Sequence, residues 1–454
     1  MRMPTLSDRI LSALQSVQDP DLHQDIVTLG FIKDLLIQDG RVSLTLELTT
    51  PACPVKDDLK QQVINVVSQF PEVTDVVVRL GSKPMRGLQP LAKGLSEVGA
   101  IIGVSSCKGG VGKSMTAVNL AFALSEQGAS VGIFDADVYG PSLPTMVALP
   151  DTSLVFDGQF IKPLQYKGVK LMSFGYTQDP LDDRNPALMR GPMVSQVINQ
   201  LLTQTNWGAL DYLIIDMPPG TGDIPLTLSQ LIPMTAAVIV TTPQRLSFVD
   251  VIKGIELFYN LKVPTIAVLE NMSYYECGTC QERQYPFGRG ALQSLVNEFG
   301  FKYAFECPID SVVSPTSDAG LPLVLAHPDA KATQVIHQLA GAVAREVSRL
   351  RYQSTGAPAV EVMDANGKLM IRVSQGERES WVEPRDLRLA CRCARCQDEW
   401  TGRPLLDASS IPDDVVPEGL GPVGNYAVGV NWTDGHSSIY PYEVLWSFQV
   451  SAEV

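Results

Sequence analysis

The sequence lacks any hydrophobic run that approaches the ~20 residues required by a membrane-spanning helix. Positive charge is also scarce, because 35 Lys and Arg face 49 Asp and Glu and leave a formal net charge of -14. This excess repels the phosphate backbone of nucleic acids. The N-terminal sequence has neither the apolar segment of a signal peptide nor the composition of a transit peptide. We therefore expect a cytoplasmic protein with protein partners, and neither a membrane nor a nucleic acid among them.

Internal repeats and low-complexity tracts are absent, and the 36 glycines and 32 prolines are scattered, as in an ordinary globular chain. A length of 454 residues exceeds what one core usually organises, so two or three domains are expected. The chain has eight cysteines, five of them in closely spaced motifs. In a reducing compartment we expect metal ligands or plain thiols rather than disulfides.

Residues 1–82 are predicted to form a small α+β domain. Its first helix carries apolar residues at helical spacing, and a strand with alternating apolar residues, Val42 to Leu48, follows the turn signal Asp39-Gly40. A helix at about 54–69 and a further strand complete this unit. The mixed polar, Gly and Pro residues of about 81–97 indicate a linker.

The pattern changes twice along the rest of the chain. From 98 to 350, short apolar runs alternate with amphipathic helical segments, which predicts an α/β domain with a central parallel sheet covered by helices on both faces. From 356 to 454, two hairpin patterns flank a Pro- and Gly-rich loop at about 401–424. This last part is predicted to be a small β-rich domain.

A phosphate-binding motif lies at the start of the α/β part, where the strand AIIGVSS runs into CKGGVGKS and then into a helix. Small glycines let backbone N–H groups surround phosphate oxygens, Lys113 is expected to reach the β and γ phosphates, and Ser114 to hold Mg²⁺. The alternative is a Gly-rich turn that binds nothing. The residues expected to contact ATP here are Gly109, Gly110, Val111, Gly112, Lys113, Ser114 and Met115.

Cys107 replaces the first glycine of the usual motif, and Lys108 precedes Gly109. Here the sequence resembles the deviant P-loop family that includes MinD, ParA, the nitrogenase iron protein and the Mrp/ApbC cluster carriers. The resemblance implies a homodimer in which Lys108 reaches the partner's nucleotide. Whether Cys107 contacts a cluster stays open.

Carboxylates follow two of the predicted strands, in FDADVYGPSLP and in IDMPPGTGD. Such strand ends are where open α/β sheets bind ligands. By resemblance, Asp137 orients the attacking water and Asp216 binds the Mg²⁺ shell, while Asp135 belongs to the same nucleotide and Mg²⁺ site. Asn271 matches the family position whose amide contacts adenine. Ordinary strand-end turns are the alternative, most of all for Asp135.

The phrases FDADVYGPSLP, MRGPM, DYLIIDMPPGTGD and ENMSYYEC are similar to the Mrp/ApbC branch. Cys277 and Cys280 supply two thiolates, and a symmetric dimer supplies the four that a [4Fe-4S] cluster requires. The resemblance implies a carrier that receives clusters from an upstream scaffold and delivers them to apo iron–sulfur client proteins. A zinc half-site or a redox pair are the alternatives. We expect Cys307 to be a buried apolar residue.

The flanking parts carry resemblances of their own. DPDLHQDIVTLGFI and LELTTPACPVKDDL are similar to a small domain of cluster-assembly factors, in which the position of Cys53 is reactive and implicated in cluster handling. The alternative for Cys53 is a structural thiol near a helix N-terminus, with a mildly lowered pKa.

The C-terminal part resembles the N-terminal domain of γ-butyrobetaine hydroxylase-like proteins, through the signature W-x-D-G-H. That resemblance implies a closed Zn²⁺ site made by Cys391, Cys393, Cys396 and His436. A cluster or unliganded thiols are alternatives, and a histidine in a hairpin turn is often merely exposed. The order of the three parts is similar to that of the plastid and cyanobacterial "high chlorophyll fluorescence" [4Fe-4S] scaffold family.

These patterns favour an ATPase that couples ATP hydrolysis to loading or release of a [4Fe-4S] cluster. Two other functions are compatible with the same loop: a MinD- or ParA-like spatial organiser, and an electron donor like the nitrogenase iron protein. The organiser requires a membrane-targeting tail or a basic patch, and the C-terminal SFQVSAEV is neither.

Overall fold

The computed structural model describes residues 5–22, 24–82, 92–177, 191–220, 228, 232–352, 358–365, 367–375, 378–393, 395–397, 403–423 and 427–448. Most of the predicted linker, residues 83–91, and the end of the IDMPPGTGD segment, residues 221–223, lie outside these ranges. No helix in the described ranges combines the length and hydrophobicity that crossing a bilayer requires.

The N-terminal part is the expected α+β unit. Thr5 and Asp8 form a reciprocal capping box at the start of the first helix. In the predicted turn, Asp39 and Gly40 both have positive φ (47° and 81°), which suits a tight hairpin. Buried residues alternate with more accessible ones along its second strand. The elements are α1 Leu6–Leu14, β1 Gln18–Asp19, β2 Gln24–Asp25, β3 Ile32–Gln38, β4 Arg41–Leu48, α2 Lys56–Val67 and β5 Asp75–Ser82.

The central part is built around one long sheet. Its strands and the two short hairpins beside it are β6 Val98–Ser105, β7 Val131–Asp135, β8 Val155–Asp157, β9 Phe160–Lys162, β10 Leu164–Tyr166, β11 Val169–Ser173, β12 Leu210–Asp216, β13 Ala236–Thr241, β14 Thr265–Glu270, β15 Tyr275–Glu276, β16 Arg283–Gln284 and β17 Ala304–Glu306. Its helices are α3 Lys113–Glu126, α4 Leu143–Met146, α5 Gly191–Gln204, α6 Arg245–Asn260, α7 Ala291–Phe299, α8 Val313–Asp318, α9 Leu323–Ala326 and α10 Lys331–Tyr352.

The sheet has the order β10-β11-β7-β12-β6-β13-β14-β17, and every neighbouring pair except β10 with β11 is parallel. Both faces are covered. On β12, Tyr212 and Ile214 join the core beneath α3 and α10, whereas Leu213 and Ile215 join the core beneath α5 and α6. The predicted α/β architecture with a central parallel sheet is therefore confirmed, and the continuous apolar runs reflect burial on two faces.

The C-terminal part is β-rich, as predicted, but the predicted loop at 401–424 contains a strand. Pro417–Val423 pairs antiparallel with Ala427–Trp432, in spite of its prolines and glycines. It lies at the edge of a three-stranded sheet, where missing N–H donors are tolerated. The elements are β18 Ala359–Ala365, β19 Lys368–Gln375, β20 Arg378–Val382, α11 Pro384–Leu389, β21 Pro417–Val423, β22 Ala427–Trp432, β23 Ser437–Pro441 and α12 Tyr442–Ser447.

The N-terminal part packs against the central part through polar contacts. Thr50 Oγ1 lies 2.7 Å from the hydroxyl of Tyr212 on β12, and Lys56 Nζ donates to the carbonyl of Gln127 just after α3 (2.7 Å). Because α3 begins at the phosphate-binding motif and β12 ends at Asp216, this interface adjoins the two elements that carry the nucleotide site.

Candidate nucleotide site and metal centre

The loop between β6 and α3 has the backbone shape that its glycines predict. Gly110 and Gly112 have positive φ values of 78° and 88°. A Cβ on Gly112 would lie 2.2 Å from Asn271 Nδ2, so this position also needs glycine for space. Gly109 and Gly110 are exposed, with nothing near an added Cβ. The loop therefore presents open backbone at the N-terminus of a 14-residue helix, which is suited to phosphate groups.

Lys113 and Asp216 form a buried ion pair at the base of this loop. The Lys113 ammonium contacts Asp216 Oδ1 and lies 3.3 Å from Ser114 Oγ, and the two side chains are 7% and 2% exposed. Burial raises the pKa of Asp216, and the Lys113 charge opposes that rise. Lys113, Ser114 and Asp216 are thus brought together as the sequence predicts. Phosphate oxygens entering the loop would compete with Asp216 for the ammonium group.

Asp135 organises the segment that follows β7. Its carboxylate accepts hydrogen bonds from the backbone N–H groups of Asp137, Ser142 and Leu143 and from the Ser173 hydroxyl, at 3.0–3.1 Å. Burial, followed by the nearby charge of Asp216, raises the pKa of Asp135 to about 7. The four donors make Asp135 the anchor of the 137–143 turn, a role that its strand-end position did not reveal.

Asp137 and Asn271 line the same region. Asp137 Oδ1 accepts from the Gly140 backbone N–H (3.2 Å). The Asn271 side-chain amide donates to the Val111 carbonyl at 2.9 Å and is 5% exposed. In this arrangement the Asn271 amide braces the loop itself. Met115 packs in the core behind the loop.

Cys277 and Cys280 lie in the connection of the short β15–β16 hairpin, which leaves β14 at the carboxyl edge of the sheet. Cys280 is exposed and Cys277 is half-buried. Hydrogen bonds from the backbone N–H groups of Cys280 and Thr279 lower the pKa of the Cys277 thiol. This hairpin tip therefore offers two accessible sulfur ligands on the same edge of the sheet as the nucleotide loop.

Cys391, Cys393, Cys396 and His436 converge in the C-terminal part. One ligand atom from each lies within 4.8 Å of all the others, and the three sulfurs are 3.4, 3.5 and 3.7 Å from His436 Nε2. A tetrahedral Zn²⁺ with ordinary bond lengths requires sulfur–nitrogen separations of about 3.6 Å. The group fits a metal ion. The histidine, which a hairpin turn could have left exposed, completes the site.

The surroundings of this group hold it in place. Arg388, 4% exposed, lies 3.5 Å from Cys396 Sγ through Nη1, and its Nε donates to Asp434 at 2.8 Å. Asp434 in turn accepts from the His436 backbone N–H (3.0 Å), and the Ser438 hydroxyl lies 3.2 Å from Cys391 Sγ. A buried guanidinium beside sulfur favours the thiolate that a metal requires. The sequence places these residues near the ligands but does not disclose these contacts.

Cys53 is a buried residue at the boundary between the N-terminal and central parts. It is 5% exposed and lies beside Ala344, Arg345 and Ser348 of α10 around a small cavity. The sequence interpretation of a mildly lowered pKa is wrong, because burial raises the pKa of Cys53 to about 11. Loss of hydration raises the pKa of Cys53 by more than the N-terminus of the following helix lowers it. Cys307, as predicted, is fully buried.

Alkylation should distinguish Cys53 from the hairpin thiols. With a pKa of about 11, only about one Cys53 in a thousand is a thiolate at pH 8. We expect iodoacetamide at pH 8 to label exposed Cys280 within minutes and to leave Cys53 unmodified in the folded protein, as read by peptide mass spectrometry. Labelling of Cys53 at the rate of Cys280 before denaturation would contradict the buried position.

The strand, loop and helix around Lys113, within a parallel sheet of this order, define the central part as a P-loop NTPase. Comparison with protein families agrees. The chain belongs to the family described as NUBPL iron-transfer P-loop NTPase, whose model matches residues 97–344. Residues 7–79 match the model described as iron-sulfur cluster assembly protein, and residues 360–446 match gamma-butyrobetaine hydroxylase-like, N-terminal.

One relative matches nearly the whole chain and another matches three quarters of it. The chloroplastic Fe-S cluster assembly factor HCF101 of Oryza sativa subsp. japonica is 47% identical over 442 residues, covering 96% of this chain and 82% of that protein. The iron-sulfur cluster carrier protein of Synechocystis is 40% identical over 348 residues, covering 75% and 98%. A solved nucleotide-binding protein of Archaeoglobus fulgidus, in complex with ADP, has 38% identity, covers 50% of this chain and 88% of that chain, and has a TM-score of 0.45.

Proposed function

We propose that this chain is an ATP-hydrolysing iron–sulfur cluster carrier. It works as a homodimer in the cytoplasm, receives [4Fe-4S] clusters from an upstream scaffold and passes them to apo-protein clients. The names of its relatives, Fe-S cluster assembly factor and iron-sulfur cluster carrier protein, support this function. The chain covers most of the length of both.

The nucleotide is held by the loop and by residues around it. Lys113 draws the β and γ phosphates into the loop, and exposed Lys108 reaches the partner's nucleotide across the dimer. The Ser114 hydroxyl and the Asp216 and Asp135 carboxylates are oxygen donors of the kind that suits Mg²⁺, which would neutralise phosphate charge when bound. Asp137 orients the attacking water, and Asn271 contributes to the nucleotide pocket while bracing the loop.

One observation carries the cluster assignment: the Cys277–Cys280 tip and the phosphate-binding loop leave the sheet at the same edge. Two thiols cannot complete a [4Fe-4S] cluster, but two copies facing each other at this edge supply four. Nucleotide-dependent closure of the dimer would then bring together or separate the two pairs of thiols. ATP hydrolysis and cluster release would then be coupled steps of one conformational cycle.

The flanking parts have separate roles in this proposal. Residues 356–454 hold a structural Zn²⁺ through Cys391, Cys393, Cys396 and His436, a closed set with no open coordination position. Residues 1–82 contact clients or an incoming cluster, and Cys53 takes part once the interface with α10 opens. Residues 98–350 bind ATP and the cluster.

Anaerobic reconstitution tests the proposal. The wild type should bind about one [4Fe-4S] cluster per two chains, with the corresponding Mössbauer spectrum, and should transfer it to an apo acceptor. The Cys277→Ser/Cys280→Ser variant should lose the cluster and the transfer, because Ser does not replace the thiolate ligands. Its zinc content should stay near one ion per chain.

The matched control is Thr279→Ala, which changes the same hairpin tip and keeps both thiols. It should keep the cluster and the transfer activity. If wild type and double variant gave the same spectra and neither transferred iron, the carrier function would be wrong. Loss of zinc together with the cluster would show that the two sites are not separate.

A further inference from the structure

Helix α6, Arg245–Asn260, carries a glycine in its interior that faces the phosphate-binding loop. Gly254 is buried, and a Cβ on it would lie 2.4 Å from Cys107 Sγ. The next nearest atom, Ile239 Cδ1, is 4.0 Å away. Glycine inside a helix costs about 0.5–1 kcal/mol relative to alanine. The absence of a side chain at Gly254 therefore makes room for one atom, the sulfur of Cys107.

The contact between Gly254 and the Cys107 sulfur also bears on the backbone that leads to Lys108. The Cys107 sulfur lies against Gly254. On the other side of the turn, the Ser106 hydroxyl donates to the Lys108 carbonyl at 2.9 Å, and the Gly220 N–H donates to the Ser106 carbonyl at 2.9 Å. The backbone of residues 106–108 is thus held from both sides, while the Lys108 side chain is exposed.

The chemistry of Cys107 does not suit a cluster ligand in this position. Burial raises the pKa of Cys107 to about 11, and the nearby charges of Asp250 and Lys253 act on it in opposite directions. Metals bind the thiolate form of cysteine, and burial favours the neutral thiol of Cys107. Its sulfur therefore packs against the helix backbone as an apolar group.

We propose that Cys107 is a positioning residue whose sulfur, seated against Gly254, sets the first turn of the phosphate-binding loop and aims Lys108 out of the protein. The usual phosphate-binding motif has glycine at this position, which has no side chain to make a contact. The cysteine restricts the backbone conformations of the loop through its contact with Gly254. This inference rests on nucleotide binding and the dimer role of Lys108 in the proposed function, and is independent of cluster transfer.

A double-mutant cycle tests the contact. Equilibrium binding of mant-ATP to the full chain should weaken about tenfold in Gly254→Ala, because the added methyl group overpacks the sulfur. Cys107→Gly should weaken binding about threefold through added loop freedom. Cys107→Gly/Gly254→Ala should return to the level of Cys107→Gly, because the clash is gone. Cys107→Ser, which keeps a short side chain with an acceptor atom, should stay within about twofold of wild type.

A second cycle tests the action through Lys108. Cys107→Gly should lower kcat for ATP, and adding it to Lys108→Ala should lower kcat no further, because the residue it positions is already gone. Additive effects in either cycle, or a loss of cluster iron in Cys107→Ser, would overturn the inference and leave the carrier function standing. A wild type that binds no mant-ATP would overturn both.

Discussion

Replacing Lys113 by methionine should reduce ATP hydrolysis at least about a hundredfold, as measured by phosphate release at saturating ATP. The ammonium is buried at the start of α3, beside Ser114 and Asp216, where it can act on phosphate charge with little screening by water. Removal of one preorganised donor from such a site costs about 10²–10³ in rate. Methionine keeps an unbranched side chain of similar length and removes the ammonium group with its charge and its hydrogen-bond donors.

The same variant should also be less stable, by about 3–5 kcal/mol, because Asp216 is left buried without its cation. Adding Asp216→Asn should restore part of the free energy of unfolding but none of the hydrolysis. Urea denaturation and the phosphate assay separate the two effects. Lys162→Met, at an exposed position, is the control and should change neither. Hydrolysis within about twofold of wild type in Lys113→Met would contradict the assignment.

Loss of the Cys₃His site should unfold the C-terminal part selectively. Structural zinc contributes about 10–16 kcal/mol to the folding of small metal-dependent units, and here the core of this part includes the ligands Cys391 and Cys396 themselves. We expect His436→Ala to lose about one zinc per chain and to lose hydrogen-exchange protection across residues 360–446. Strands of the central sheet should keep their protection.

Cys280→Ser is the matched control, since it removes an exposed thiol from outside the site and should leave zinc and exchange unchanged. A His436→Ala protein with full zinc and wild-type exchange would remove the histidine from the ligand set. Arg388→Met adds a finer test. It should weaken zinc binding about 10- to 100-fold without abolishing it, because Arg388 contacts a ligand sulfur and is not itself a ligand.

Hydropathy patterns predicted most of the fold. The short apolar runs predicted between residues 98 and 350 became neighbouring parallel strands, and the Asp39-Gly40 turn closed its predicted hairpin. The strand Pro417–Val423 was not predicted, because its prolines and glycines are typical of a loop. Its pairing comes from the edge of the sheet, and Gly421 lies opposite Gly429 where both leave room for the Tyr259 hydroxyl of α6. No local pattern contains that contact.

In the candidate sites too, some features were predicted from the sequence and others are seen only in the structure. Local spacing indicated the phosphate-binding loop and the Cys277–Cys280 pair, because these motifs consist of neighbours in the chain. The ligands of the metal centre were predicted from a family resemblance, and the structure brings them together. The Ser173 hydrogen bond to Asp135, the Arg388 contact with Cys396 and the space at Gly254 all join residues from different segments of the chain. The domain boundaries 1–82, 98–350 and 356–454 stay predictions.

From the order of residues alone came the prediction of which side chains carry the chemistry, since glycine spacing, strand-end carboxylates and closely spaced cysteines are visible in the sequence. The exposure and the pKa of those side chains depend on the packing of the folded chain. Cys53 shows the difference: its place before a helix suggested a lowered pKa, and packing against α10 raised it to about 11. The reason is that burial depends on what another part of the chain places over a residue, and desolvation then outweighs the local helix effect.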